Sequence, residues 1–485
     1  MSSTFLNYVG GQWAVAKSGK VFANVNPANT DEIVGHFQAS GAEDIAAACD
    51  AAAKSQAAWA AKPAPLRGEY LFKAAELLEH RLDKTSEEMT REEGKTLPEA
   101  KGEVKRAINI LRYFGGEGAR QFSYQIPSER TNVFCYTMRK PLGVVALITP
   151  WNFPSAIPAW KMAPALVAGN TVVIKPASLA PLSAYRIVEA LHEVGIPAGV
   201  VNYVTGSGGA TGDALVEHPA VRAVSFTGSC AVGNALYEKV TRRRLRVQLE
   251  MGGKNPTVVL KDAELDYAAD VLVNGAFFST GQKCTACSRA IIEKAIYEPL
   301  LEKLIAKTRK LKVGNGLEPS IEIGPAVDAA QLDTDLKYIE IAKQEGAKLV
   351  CGGNRLSGGI YDKGYFVEPT IFTGVKANMR IAQEEVFGPV LGLMVAEDFE
   401  DAMQLANGVK FGLSASIVSR DLTRVHEFVN RIEAGLITVN LPTAGVEYQL
   451  PFGGTKESSF GMREQGPAAL DFYTETRTVY LKYTQ

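Results

Sequence analysis

The chain has 485 residues, 46% hydrophobic and 22% charged, with a formal net charge of -1. It is too long for one hydrophobic core, so two or three domains are expected, and its charge balance creates no global field toward nucleic acid or a membrane. Six cysteines (Cys49, Cys135, Cys230, Cys284, Cys287, Cys351) are too few for a disulfide scaffold and suit a reducing cytoplasm.

The opening MSSTFLNYVGGQW lacks a basic segment followed by an apolar core, so no signal peptide is expected. No apolar run approaches the ~18 to 20 residues of a membrane span. Residues 41 to 120 read as helices: AEDIAAACDAAAKSQAAWA and LRGEYLFKAAELLEHRLDKTSEEMTREEGK carry apolar residues at three- and four-residue steps between charges. TNVFCYTMRKP (131 to 141) alternates β-favouring residues up to a proline, as a strand outside the main sheet would.

From 143 to 260 the runs GVVALITP, NTVVIKPA, VVNYVTG, AVSFTGS and NPTVVL alternate with the amphipathic AIPAWKMAPALVAG, LSAYRIVEALHEVG and TGDALVEH. Strands apolar on both faces, each followed by a helix, imply a parallel sheet covered on both sides. The basic KVTRRRLR (239 to 246) reads as a solvated helix end. From 265 to 430 the rhythm restarts with YEPLLEKLIAKTRKLKVG as a helix, AKLVCGG as a strand, EDAMQLANGVKFGL as a helix and ASIVS as a strand. The fold class is therefore α/β with two such units.

STGQKCTACSR (279 to 289) brings two cysteines to CxxC spacing. A structural zinc site would need a second pair of ligands, and the nearest histidines in sequence, His218 and His426, lie in helix-like contexts. A thioredoxin-like pair would open a helix directly after a strand, whereas this one follows the helix-like NGAFFSTG. Two ordinary buried cysteines remain the simplest alternative.

Other segments argue for chemistry. TPWNFP (149 to 154) ends an apolar strand with an Asn that can aim an amide donor at an oxyanion. VVIKPAS (172 to 178) ends a strand on a lysine, where parallel sheets bind ligands. VTGSGGATG and SFTGSCAVG are glycine-rich strand-to-helix turns, though neither is GxGxxG. LEMGGK (249 to 254) and EEVFGP (384 to 389) each add a carboxylate beside glycine or an aromatic residue.

In this order, TPWNFP, IKPA, FTGS, LEMGGKNP, GQKCTACSR, EEVFGPV, VN and PFGGTK resemble the aldehyde dehydrogenase superfamily, from about residue 10 to the C-terminus. AIPAWK and NLPTAGVEYQLPFGGTKESSFG further resemble its α-ketoglutaric semialdehyde-oxidising branch. The resemblance implies an aldehyde dehydrogenase-like fold: two Rossmann-like α/β domains (1–122 with 142–252 binding the dinucleotide, 253–466 catalytic) and a small β oligomerisation arm (123–141 and 467–485). It also implies that the hairpin near 123–141 and the strand RTVYLKY pair across subunits, in a homodimer or homotetramer.

By the same resemblance Cys284 is the nucleophile, Cys287 a bystander or a reversible oxidation partner, Glu250 the general base and Asn152 an oxyanion donor. Trp151, Lys175, Ser178, Gly228, Ser229, Glu385 and Phe387 fall at cofactor positions. NAD-preferring members often carry a glutamate three residues after the lysine. Ser178 stands there, so NADP+ is expected to be accepted, with NAD+ also used. Arg106, Phe153, Trp160 and Phe452 should line the substrate tunnel, where Arg106 suits a distal carboxylate. Arg106 as a solvated helix residue is the plain alternative. The expected reaction is NAD(P)+-dependent oxidation of an aldehyde to an acid, without a metal. Another semialdehyde such as succinic semialdehyde, or CxxC thiol–disulfide exchange, are the alternatives. Succinic semialdehyde members often have an arginine where this chain has Trp160, which weakens the former.

Overall fold

The apolar runs after residue 143 pair as strands covered on both faces do. The computed structural model describes residues 3–120 and 123–484. In it Val144–Ile148, Thr171–Lys175, Val201–Tyr203, Val221–Thr227 and Arg246–Glu250 form a parallel block. Antiparallel strands extend its two edges: Asn7–Val9 with Gln12–Ala14 beside 201–203, and Ser459–Phe460 beside 246–250.

The chain steps outward from 144–148 through 171–175 to 201–203, then returns to lay 221–227 on the opposite flank of 144–148. Connections therefore diverge at the C-terminal ends of these two strands, which opens a crevice there. Residues 149–152 and 227–229 follow directly from those ends.

A second sheet runs in the order 348–351, 370–373, 390–396, 287–293, 255–259, 414–418, 436–439, parallel except at its first strand. NPTVVL thus belongs to this sheet and not to the first rhythm. The basic run also divides differently from a plain helix end. The helix Cys230–Arg242 stops, Arg244 turns the chain at φ 56°, and Arg246–Glu250 becomes a strand. Side-chain charge hid it, because only one of its faces carries the apolar Val247 and Leu249.

Val133–Pro141 does lie outside both sheets, in a three-stranded sheet with Gln125–Pro127 and Thr474–Lys482. The C-terminal strand pairs along one edge with Val133–Pro141 of its own chain and forms the outer strand of this sheet. The helix Ala469–Tyr473 delivers it beside residue 141. The boundary expected at 122/123 touches residues 121–122, which lie outside the described residues.

Two helices pack against each other beside the loop at 149–155. Ala156–Val167 is buried along its whole length. Leu97–Glu117 starts on a capping box, Glu99 accepting from the Thr96 backbone N–H at 3.0 Å, and turns Ala100, Val104, Ile108 and Leu111 to the core. Among the described residues no helix is long and apolar enough to cross a membrane.

Candidate active site

Cys284 stands in the loop between the helix Leu265–Phe277 and the strand Cys287–Glu293. Ser279, Thr280 and Gly281 take left-handed φ of 55°, 56° and 66°, which turns the chain sharply off the helix. At Gly281 a Cβ would stand 2.3 Å from the Gly388 carbonyl oxygen, so the approach requires glycine. Three outside segments then fix the loop. Asn255 Nδ2 donates to the carbonyls of Cys284 (2.8 Å) and Ala286 (2.9 Å), Thr443 Oγ1 donates to that of Thr285 (2.6 Å), and the Val327 N–H donates to Gln282 Oε1 (2.9 Å).

Cys287 opens the next strand and is 1% exposed, packed in the apolar core, where its thiol donates to the Arg289 carbonyl at 3.6 Å. Dithiol exchange needs both sulfurs accessible, so this burial works against it. Both cysteines are free thiols. Among the described residues no cluster of His, Cys, Asp or Glu is arranged to hold a metal.

Two cavities meet at Cys284. One, of about 210 Å³, lies at the crevice of the first sheet and is lined by Trp151, Asn152, Gly228, Ser229, Glu385 and Phe387. The other, of about 340 Å³, is lined by Arg106, Phe153, Trp160 and Phe452. Cys284 is the one residue common to both linings among the described residues. Lys175 and Ser178 line neither. They converge on the Gly206 carbonyl, at 3.4 Å and 2.9 Å, beyond the first cavity. Glu250 also lines neither. Its carboxylate is buried at the end of its strand and accepts from Ser459 Oγ at 2.5 Å.

The Asn152 amide donates one proton to the Gln282 carbonyl at 3.0 Å. That bond sets the amide plane and leaves the second N–H to point elsewhere. Behind it, Lys95 Nζ donates to the Asn152 carbonyl (2.7 Å) and to Glu103 (2.5 Å). Glu103 in turn accepts from the N–H groups of Ser155 (2.8 Å) and Ala156 (3.1 Å). One buried ion pair thus clamps the Asn152 loop at both ends. Removing either partner would leave an unpaired buried charge, a loss of about 3–5 kcal/mol.

Burial, then Glu385 and Glu250, push the Cys284 thiol up to about 12. Burial and the nearby Glu464 hold Glu250 well above the ordinary carboxylate range. Glu464 is itself bonded to Lys161 Nζ and accepts from Trp160 Nε1 at 2.8 Å, which fixes the indole in the second cavity's wall. Burial raises Glu385 to about 7, although it accepts from the Gly253 N–H at 2.8 Å.

The first cavity, together with the Lys175 region beyond it, suits a dinucleotide. Ser229 caps the helix Cys230–Arg242, leaving first-turn N–H groups for an anion. Gly252 brings bare backbone against Glu385, where a Cβ would stand 2.2 Å from the carboxylate. Lys175 is a buried ammonium bonded only to carbonyls, and burial lowers it to about 8. Phe387, at φ 64°, meets the Trp151 ring edge-on at 5.4 Å.

Sequence reasoning missed Gln331 in the first cavity, Lys283 in the second, and the anchors Asn255, Ser459 and Glu464. Lys161 did leave a signal: it is the one charge in an otherwise apolar helix.

Fold and site together define an α/β enzyme with a half-buried thiol between a dinucleotide crevice and a second pocket. The chain belongs to the aldehyde dehydrogenase family, whose family model matches residues 13–479. It is 49% identical over 480 residues to an alpha-ketoglutaric semialdehyde dehydrogenase of Bacillus subtilis, covering 99% of this chain and 98% of the relative. It is 48% identical over 484 residues to an alpha-ketoglutarate semialdehyde dehydrogenase of Haloferax volcanii, covering 100% of both. The crystal structure of an NAD-dependent aldehyde dehydrogenase from Sinorhizobium meliloti superposes with a TM-score of 0.97 at 34% identity, covering 99% of this chain and 95% of that one.

Proposed function

We propose that the protein oxidises α-ketoglutaric semialdehyde to 2-oxoglutarate with NAD(P)+, releasing NAD(P)H and two protons as one water is consumed. The observation that carries this reading is Cys284 at the junction of two cavities, one fitted to a dinucleotide and one holding Arg106. The names of the Bacillus and Haloferax relatives support the substrate, and the Sinorhizobium enzyme supports the nicotinamide cofactor.

Cys284 Sγ attacks the aldehyde carbon while its proton passes to water, and a thiohemiacetal anion forms. The Asn152 amide and the Cys284 backbone N–H hold its oxyanion. The bound nicotinamide ring supplies the acceptor for the hydride that leaves this carbon. A thioester remains on Cys284. Glu250 takes a proton from the water that hydrolyses it. Glu385 and Ser229 with Gly228 would hold the dinucleotide's ribose and pyrophosphate, Trp151 and Phe387 would flank it, and Lys175 and Ser178 would receive the adenosine ribose. Ser178 carries no charge to repel a 2'-phosphate, so NADP+ is used as well as NAD+.

Asn152→Ala is expected to lower kcat by about 10² to 10³, or about 3 to 4 kcal/mol of barrier, with little change in cofactor affinity. Steady-state kinetics with a cofactor titration checks it.

The Arg106 guanidinium stacks 5.8 Å from the Trp160 ring and donates to Gln465 Oε1 at 3.1 Å, while its Nε is buried without a partner. A substrate carboxylate would pair with the outer N–H groups of this guanidinium. Arg106→Ala should raise KM for the semialdehyde at least about tenfold while sparing a neutral aldehyde. Equal damage to both substrates would end the carboxylate assignment.

The chain divides, in this reading, into a dinucleotide-binding part (1–122 and 142–252), a catalytic part (253–466) and an oligomerisation arm (123–141 and 467–485). The arm exposes Tyr124, Ile126, Phe134 and Tyr480, which suit burial in a homodimer or homotetramer. The reading also places the enzyme in the cytoplasm.

A further inference from the structure

We propose that Lys283 is a second cationic anchor, beside Arg106, for the carboxylate end of the substrate. The inference rests on the semialdehyde reading above and assigns a residue that reading did not use.

The second cavity is mostly apolar, with walls that include Phe153, Phe278, Val446 and Phe452. Four charged side chains join them: Glu99, Glu103, Arg106 and Lys283. The two acids are already occupied. Glu99 accepts from the Ser279 N–H at 2.6 Å and from Thr96 Oγ1 at 2.8 Å. Glu103 is held by Lys95 and two backbone N–H groups.

The two cations are not occupied in the same way. Arg106 Nε has no partner. Lys283 is 8% exposed, and its ammonium makes one long hydrogen bond, 3.3 Å, to the Asn274 carbonyl. An ammonium carries three donors, and the Glu99 carboxylate that attracts Lys283 makes no ion pair with it. An anionic ligand entering this cavity would meet two donors that lack strong partners and two acids that already have theirs. Lys283 is also the residue before Cys284, so an anion on it lies within one substrate's length of the nucleophile. Burial lowers Lys283 to about 8, which leaves most of it charged at neutral pH.

The test compares Lys283→Met and Lys283→Arg on three substrates: α-ketoglutaric semialdehyde, glutaric semialdehyde (which lacks the 2-oxo group) and pentanal. For Lys283→Met, the ratio of kcat/KM for either semialdehyde to that for pentanal is expected to fall about 10- to 100-fold, mainly through KM. Lys283→Arg should restore most of it. Should Lys283→Met fold poorly by circular dichroism, Lys283→Gln is expected to show the same fall. An unchanged ratio overturns the proposal. So does a matching drop in the rate at which iodoacetamide alkylates Cys284, because Lys283 would then act on the thiol. Arg106→Ala run in parallel separates the two claims: a fall with Lys283→Met alone removes Arg106 from the reading, and a fall with Arg106→Ala alone removes Lys283.

Discussion

Cys284→Ser is expected to abolish aldehyde-dependent NAD(P)H formation to about 10⁻⁴ of the parent rate or below, while the folded protein still binds its dinucleotide. The reason is electrostatic as well as chemical. Burial with Glu385 and Glu250 already pushes the thiol up to about 12, so at pH 7 almost none of it is ionised. Its proton must therefore leave as the sulfur attacks, and a serine hydroxyl, less acidic still, lacks the intrinsic nucleophilicity that makes this tolerable for sulfur. A thiol with a raised pKa yields more thiolate as pH rises. Iodoacetamide alkylation of the cofactor-free protein, with Cys284→Ser as the blank, should climb about tenfold per pH unit between 7 and 9 without a plateau. A plateau below pH 9 would show a thiol activated before substrate arrives.

Glu250→Gln is expected to leave acylation largely intact and to slow turnover by about 10² to 10⁴. A burst of NAD(P)H equal to the enzyme concentration should precede the slow phase, because the thioester on Cys284 waits for water without a base. The substitution keeps the shape and an oxygen to accept from Ser459 Oγ, so it removes the proton acceptor with little else. Burial and Glu464 raise the Glu250 pKa, so its basic form grows as pH rises through that elevated value. The parent's deacylation should therefore rise with pH, and the variant should lose that rise. Rapid mixing distinguishes the cases: if the burst disappears along with turnover, Glu250 serves the first attack and not the hydrolysis.

Much of this site was legible along the chain. TPWNFP ends a strand that its apolar run made readable, whereas the strands Cys287–Glu293 and Val390–Ala396 that follow GQKCTACSR and EEVFGP were not read from the sequence. The motifs themselves were local. The strand Arg246–Glu250 was not legible, because arginines mask its alternation. Ser459–Phe460 joins a sheet whose neighbouring strand lies about two hundred residues earlier, a pairing that no local pattern encodes. Glu464 and Lys161 meet across a separation of 303 residues. Gln465 carries a left-handed φ of 57° and holds Arg106 from 359 residues away.

The residues themselves determined that a thiol, an amide and a carboxylate were available for acyl chemistry, and that two α/β units would carry them. Those properties stem from side-chain chemistry and from periodicities a few residues long. Which cysteine lies between the two cavities, which cations in the second one lack strong hydrogen bonds, and how far each acid's pKa is raised were decided only by tertiary packing. Burial and pairing set those energies, and they come from segments distant in the chain that meet only when the two sheets close on the loop of Cys284.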